Sequence, residues 1–320
     1  MIFDMRHVSL FAIFTLLTLT LNLTHATTIT IGSNPTDVAF DSHLNEVFVS
    51  DYHSGIGNTV SVISDATNKV IATITVGRGP AGLAFDPHLN EVFVANEVSS
   101  TVSVITDATN TVTTTITVGA RPVGVAFDSH LNEIFVTNFG SDTVSLISDA
   151  TNKVMKTITV GNGPVGAVFD SHLNEVFVAN FRSNTVSVIP DATNKVTATI
   201  AVGSYPHGVA FDSSKREVFV ANEGSGTVSV ISDATNVVTA NIIVGSNPAS
   251  VAFDSHLNEL FVSDYDSGAG NTVSVVSDTT NHVTATIIVG SAPYGLAFDS
   301  NKREVFVANN LSGTVSVVSG

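Results

Sequence analysis

Short runs rich in Val, Ile, Thr and Phe recur along the chain, each bounded by clusters of Asp, Asn, Ser, Gly and Pro. Their apolar positions have strand spacing, and no helical period interrupts them after residue 26. In residues 161–202 four such runs follow one another: Gly166 to Phe169, Glu175 to Val178, Thr185 to Ile189 and Lys195 to Val202. The same set repeats throughout. Gly32, Gly77, Gly119, Gly161, Gly203, Gly245 and Gly290 mark the copies, spaced 45, 42, 42, 42, 42 and 45 residues apart, and each is followed three residues later by a proline. A fixed period of this length means an array of supersecondary units, none able to bury its apolar face alone.

Four antiparallel strands per unit make one propeller blade. The expected fold is all-β: a seven-bladed β-propeller of four-stranded antiparallel blades. Its ends supply a check, because the last unit has three strands, finishing with Thr314 to Val318, while Thr27 to Ile31 matches the missing fourth. The N-terminal strand is therefore expected to complete the C-terminal blade. Such closure removes two open sheet edges.

The second strands read Phe-Val-Thr-Asn at Phe135 to Asn138 and Phe-Val-Ala-Asn at Phe93 to Asn96, Phe177 to Asn180, Phe219 to Asn222 and Phe306 to Asn309. Together with the Pro-x-Gly start of the first strand and the Asp-Ala-Thr-Asn turn, this pattern resembles the YVTN-type β-propeller repeat family. Phe48 to Asp51 and Phe261 to Asp264 depart from it as Phe-Val-Ser-Asp. The resemblance implies a secreted or surface-exposed propeller. It carries over no catalytic residues, because the family shares none.

Residues 1–26 contain Arg6, an apolar run from Val8 to about Leu21, and Thr24-His25-Ala26, the arrangement of a cleaved signal peptide. Residues 27–320 then form a single propeller domain, secreted, extracellular or in the cell envelope, with no membrane span after cleavage. The chain has no cysteine and a formal net charge of −16. Stability must come from ring closure and apolar layers. The charge makes nucleic acid an unlikely partner and opposes anionic membranes, while favouring cationic partners or divalent ions.

Fourteen of the nineteen phenylalanines fall at two repeated places, which marks them as packing between blades. The aspartates from Asp41 to Asp299 at the end of the first strand recur seven times and are read as turn residues holding backbone N–H groups, as are Asp65, Asp107, Asp149, Asp191, Asp233 and Asp278. His43, His88, His130, His172 and His256 recur one per unit, too dispersed around the ring to hold one metal.

Function is expected where the copies disagree. The loops leading into first strands and those joining second to third strands share one face and vary between units. Arg78, Arg121, Arg182, Tyr52, Tyr205, His207, Tyr265, Tyr294, Phe139 and Phe181 lie there as candidate ligand-binding residues, the aromatic and arginine types that dominate binding hot spots. The three arginines come from neighbouring blades and suit a carboxylate or phosphate. Asp264-Tyr265-Asp266-Ser267-Gly268 is a weak calcium candidate through Asp264 and Asp266, lacking the distal acid because Val275 stands there.

The leading expectation is a non-enzymatic binding module for a protein, glycan or cell-envelope component, without cofactor. The alternative is a metal-assisted enzyme, lyase-like or lactone-hydrolase-like, at the channel mouth. His207, Tyr205, Glu223 and Glu97 are its best available residues.

Overall fold

A computed structural model describes residues 26–32 and 34–319; the expected leader lies outside them except for Ala26. Among the described residues twenty-eight strands form seven four-stranded antiparallel sheets, six of them sequential meanders. The inner strands are Pro35–Asp41, Pro80–Asp86, Pro122–Asp128, Pro164–Asp170, Pro206–Asp212, Pro248–Asp254 and Pro293–Asp299, opening blades 1 to 7. Thr27–Thr30 pairs antiparallel with Thr314–Ser319, Ile29 opposite Val315, and becomes the outer strand of blade 7. The ring closes as expected.

Second and third strands are apolar on both sides because each blade stacks on two neighbours. Seven apolar clusters fill the junctions. The closing one joins Ile29, Phe306, Val315 and Val317 of blade 7 to Val38, Val47 and Ile63 of blade 1. Phe48, Phe93, Phe135, Phe177, Phe219, Phe261 and Phe306 are essentially inaccessible. Burying one such ring contributes about 1.5–3 kcal/mol. Outer strands lie at the perimeter and are largely exposed, and in blades 1 to 5 each buries a single isoleucine, Ile74, Ile116, Ile158, Ile200 or Ile242.

Blade 4 departs from the expected strand. Its outer strand spans only Ala198–Ala201, not Lys195 to Val202, and pairing stops at Val188 with Ala198. Pro190 occupies the place of Ser148 in blade 3 and brings no N–H to the ladder.

The aspartates ending the inner strands hold turn amides as expected. Asp41 Oδ1, for example, accepts the N–H groups of His43 at 2.7 Å and Leu44 at 3.2 Å. The Asp-Ala-Thr-Asn aspartates do more than brace their own turns. His43 Nδ1 meets Asp107 Oδ2 of the next blade at 2.7 Å, and His88, His130 and His172 meet Asp149, Asp191 and Asp233 at 2.7, 2.6 and 2.9 Å. Lys215 reaches Asp278 at 2.9 Å, and Lys302 closes the ring on Asp65 at 3.0 Å. Each histidine or lysine clasps the following blade. Blade 6 has no such partner ahead, since the outer strand of blade 7 comes from the N-terminal segment, and His256 lies 3.8 Å from its own Asp254 instead.

Candidate functional site at the channel mouth

All seven inner strands carry a β-bulge immediately after the proline, so two residues are re-aimed toward the central channel. The second bulge residue is glycine in five blades. A Cβ on Gly82 would lie 2.2 Å from the Val123 carbonyl oxygen, and one on Gly124 would lie 2.1 Å from that of Val165. Adjacent inner strands approach too closely there for a side chain. Blades 1 and 6 break the pattern with Asp37 and Ser250. The first bulge residue is Thr36, Ala81, Val123, Val165, His207, Ala249 or Tyr294, so large polar groups enter from blades 5 and 7 alone.

The third letter of the second-strand tetrapeptide braces some of these bulges. Ser50 Oγ accepts the Asp37 N–H at 3.0 Å and donates to the Ala81 carbonyl at 2.6 Å. Thr137 links Gly124 to Val165 in the same manner, and Ser263 links Ser250 to Tyr294. Alanine stands at that position in the other four blades.

Below the variable loops the channel opens into a funnel of about 480 Å³. Its wall includes Thr36, Asp37, Tyr52, Glu97, Arg121, Phe139, Phe181, His207, Glu223, Ser250 and Tyr294. Tyr52 donates its hydroxyl to Glu97 Oε2 at 2.6 Å, and Arg121 donates to Glu97 Oε1 through Nε at 2.8 Å and through a second guanidinium nitrogen. Arg121 also packs over the Phe139 ring at 4.9 Å, with Arg182 over the same ring at 4.3 Å.

An aromatic series continues around the funnel. Phe181 stacks on Tyr205 at 4.9 Å and meets His207 edge-on at 6.2 Å. His207 and Tyr265 each meet Tyr294 edge-on at 5.2 Å. His207 hydrogen-bonds the Ala249 carbonyl, which requires a ring N–H. Its Nε2 lies 2.8 Å from the Tyr294 hydroxyl, so the two groups share one hydrogen bond.

Burial sets the electrostatics. It pushes Asp37 up to about 7 against the opposing hydrogen bonds from the Leu83 and Val38 amides, and it lowers His207 to about 4. Burial also raises Glu223, and it raises Tyr52 to about 12 with help from Glu97. Tyr294 is raised first by burial, then by Glu223, Tyr265, Asp37 and Glu97.

Backbone geometry separates the lead-in loops further. The residue before each proline has positive φ in all seven blades. Asn34, Gly79, Gly163 and Asn247 suit that conformation, whereas Arg121, Tyr205 and Ala292 hold it at φ 52, 53 and 56°. Arginine and tyrosine occupy backbone positions that a smaller residue would fill with less strain.

Of the ten candidate binding residues, nine fall in this connected network. Arg78 does not: its side chain is exposed and makes no hydrogen bond or ion pair among the described residues, so the expected three-arginine patch contracts to Arg121 and Arg182. Of the enzyme set, His207, Glu223 and Glu97 line the funnel, while Tyr205, 49% exposed, lies at the rim on Phe181. Asp37 was missed. Its signal was the lone acid at the Pro-x-Gly glycine position.

The calcium candidates separate. Asp264 Oδ2 accepts the hydroxyls of Thr272 at 3.0 Å and Ser274 at 2.8 Å inside the blade, whereas Asp266 is exposed in the short turn Asp266–Gly268. Among the described residues, the groups of three His, Asp or Glu side chains close enough for one metal are Asp86/His88/Asp149, Asp170/His172/Asp233 and Asp65/Asp299/Glu304. All lie on the turn face, away from the funnel.

Fold and site together define a seven-bladed β-propeller with a polar-aromatic funnel on its variable face. No protein-family model matches the chain, and no curated protein matches it in sequence. Among solved structures it is similar to Kuenenia stuttgartiensis hydrazine synthase, with TM-score 0.80 and 17% identity over 90% of this chain and 96% of that one. At that identity the likeness is one of fold.

Proposed function

We propose that the chain is an exported, non-enzymatic binding module of the YVTN repeat type, with its ligand held by the variable face and the funnel beneath it. One observation carries this reading. Residues that differ from blade to blade, from Tyr52 in blade 1 to Tyr294 in blade 7, converge on one funnel, although the repeat would place seven small residues there. The volume lies in the range of small-ligand pockets, apolar walls with few placed polar groups. A glycan, or a group projecting from a protein or envelope component, fits the same description.

Asp37 and the His207–Tyr294 pair favour an acid–base enzyme as the second reading, since shifted titrations gather at catalytic sites. Metal assistance is less well supported, because the three-ligand groups lie on the opposite face. The test is retention of native envelope components on the mature chain compared with a Phe181→Ala/Tyr205→Ala/Arg182→Ala variant that keeps a single cooperative melting transition well above the assay temperature. A component held by the first and lost by the second supports the module. Turnover of lactones or uronate glycans that Tyr294→Phe abolishes would replace that reading with the enzyme.

A further inference from the structure

We propose that the funnel binds a small organic cation through its ammonium group. This deepens the binding reading above and rests on it. The polar groups facing the funnel are short of free protons. The Tyr294 hydroxyl and His207 Nε2 commit a proton to the 2.8 Å hydrogen bond between them, and His207 also hydrogen-bonds the Ala249 backbone. Tyr52 commits its proton to Glu97. Arg121, which lines the wall, turns its Nε and a terminal nitrogen to Glu97.

Acceptors remain in excess. Asp37 accepts the Leu83 amide on Oδ2 at 3.0 Å and the Val38 amide as well, yet has no cationic partner among the described residues, and it lines the funnel. The Glu223 carboxylate has no hydrogen bond or ion pair among the described residues, although its backbone carbonyl holds Asn247. The Tyr294 oxygen keeps a lone pair. Asp37, Glu97 and Glu223 line the same funnel, with Arg121 in its wall committed to Glu97 and Arg182 drawn over the Phe139 ring.

Partly desolvated carboxylates without partners are costly, and either a proton or a ligand cation relieves them. The raised titration of Asp37 is the proton's version of that relief. An ammonium brings three donors and a positive charge to a site that has neither to spare. Tyr52, Phe181 and Tyr294 add aromatic surface, which attracts organic cations. A hard divalent ion fits less well: it takes six or more oxygens, and among the described residues no three His, Asp or Glu ligand atoms in the funnel lie close enough to share one ion.

The probe is 1,5-diaminopentane, titrated calorimetrically into the intact chain. Butylammonium, 1,5-pentanediol, glutarate, calcium and N-acetyl-lysine methylamide serve as comparators. The diamine and butylammonium should bind, and the neutral diol and the dianion should not. Asp37→Ser and Glu223→Gln should each weaken binding at least tenfold. The first should fold, since Ser250 occupies the equivalent position of blade 6. With Asp37 titrating near 7, affinity should rise about tenfold between pH 6 and pH 8, and Asp37→Ser should abolish that rise.

Lysine-amide binding as tight as that of butylammonium would identify a protein side chain as the cation's source, whereas exclusive binding of free amines would identify a small metabolite. Equal binding of the diol, displacement of the diamine by stoichiometric calcium, no binding, or full affinity in both variants would overturn the proposal. Glutarate or diol binding that Tyr294→Phe weakens would remove the cation while leaving a binding module. The retention experiment above decides that module separately.

Discussion

Tyr205 should be a residue that the fold would rather replace. Its backbone lies in the left-handed region at φ 53°, where an ordinary L-residue costs about 1–2 kcal/mol and asparagine costs less. Asn247, at the same place in blade 6, donates Nδ2 to the Glu223 carbonyl at 3.0 Å, and Asn34 in blade 1 donates to the Asn310 carbonyl at 3.1 Å. In Tyr205→Asn the new amide would face the equivalent Phe181 carbonyl, adding about 1 kcal/mol. Losing the 4.9 Å stack on Phe181 removes about 0.5–1.5 kcal/mol. The balance is a gain of about 1 kcal/mol. Tyr205→Ala loses the stack and gains no hydrogen bond, so it should lie about 2 kcal/mol below Tyr205→Asn. By the usual scaling this is roughly 4 °C in melting temperature for a domain of this size. Calorimetry on the two variants and the parent measures the order Asn, Tyr, Ala. If the alanine variant equals or exceeds the asparagine variant, the strain argument fails.

Arg121→Ala should cost about 1–3 kcal/mol by stripping the partner from a nearly buried Glu97, and Arg121→Ala/Glu97→Gln should recover much of that loss in urea denaturation. Gly82→Ala should destabilise by about 1–3 kcal/mol, because the new methyl meets the Val123 carbonyl at 2.2 Å; an unchanged midpoint would mean the inner strands separate freely. Melting temperature should be higher near pH 6 than at pH 8. His43, His88 and His130 are raised by their aspartate partners, so their stabilisation is complete below about 6.5 and is lost as pH rises through the raised values. Burial-raised Asp41, Asp86, Asp128 and Asp170 act in the same direction at lower pH, and His207, lowered to about 4, opposes them as pH falls from about 6.5 toward 4. A flat or rising profile from pH 6 to 8 would refute the sign.

The architecture was legible because each blade repeats its strand pattern, and the three-strand last unit shows how the ring closes. The variable face was legible for the same reason: departures stand out against seven copies. Asp37 was not, because one acid near a proline resembles loop variation until the neighbouring inner strand shows why glycine is the rule. The clasps were hidden by distance, His88 and Asp149 being 61 residues apart in different units. In blades 5 and 7 Ser214-Lys215-Arg216 and Asn301-Lys302-Arg303 replace the His-Leu-Asn of the other turns. Lys215 and Lys302 are substitutes that reach the same class of partner, Asp278 and Asp65.

The two faces obey different constraints. On the turn face every blade must present a cation-capable side chain forward and an aspartate backward, so a change in one copy is felt by the next. His256 shows the rule by its exception, at the junction where Thr27–Thr30 supplies the outer strand of blade 7 and no such turn follows among the described residues. On the opposite face the lead-in loops meet chiefly through backbone hydrogen bonds, such as Glu97 N–H to the Gly79 carbonyl at 2.7 Å and Glu223 N–H to the Tyr205 carbonyl at 2.9 Å. Those bonds are indifferent to side-chain identity. The ring therefore leaves this face free to take unlike residues, and Arg121, Tyr205, His207 and Tyr294 accumulate there despite strained φ values in the first two and the desolvation of His207. A fold held together by repetition thus confines its unrepeated chemistry to the one surface where repetition is not required.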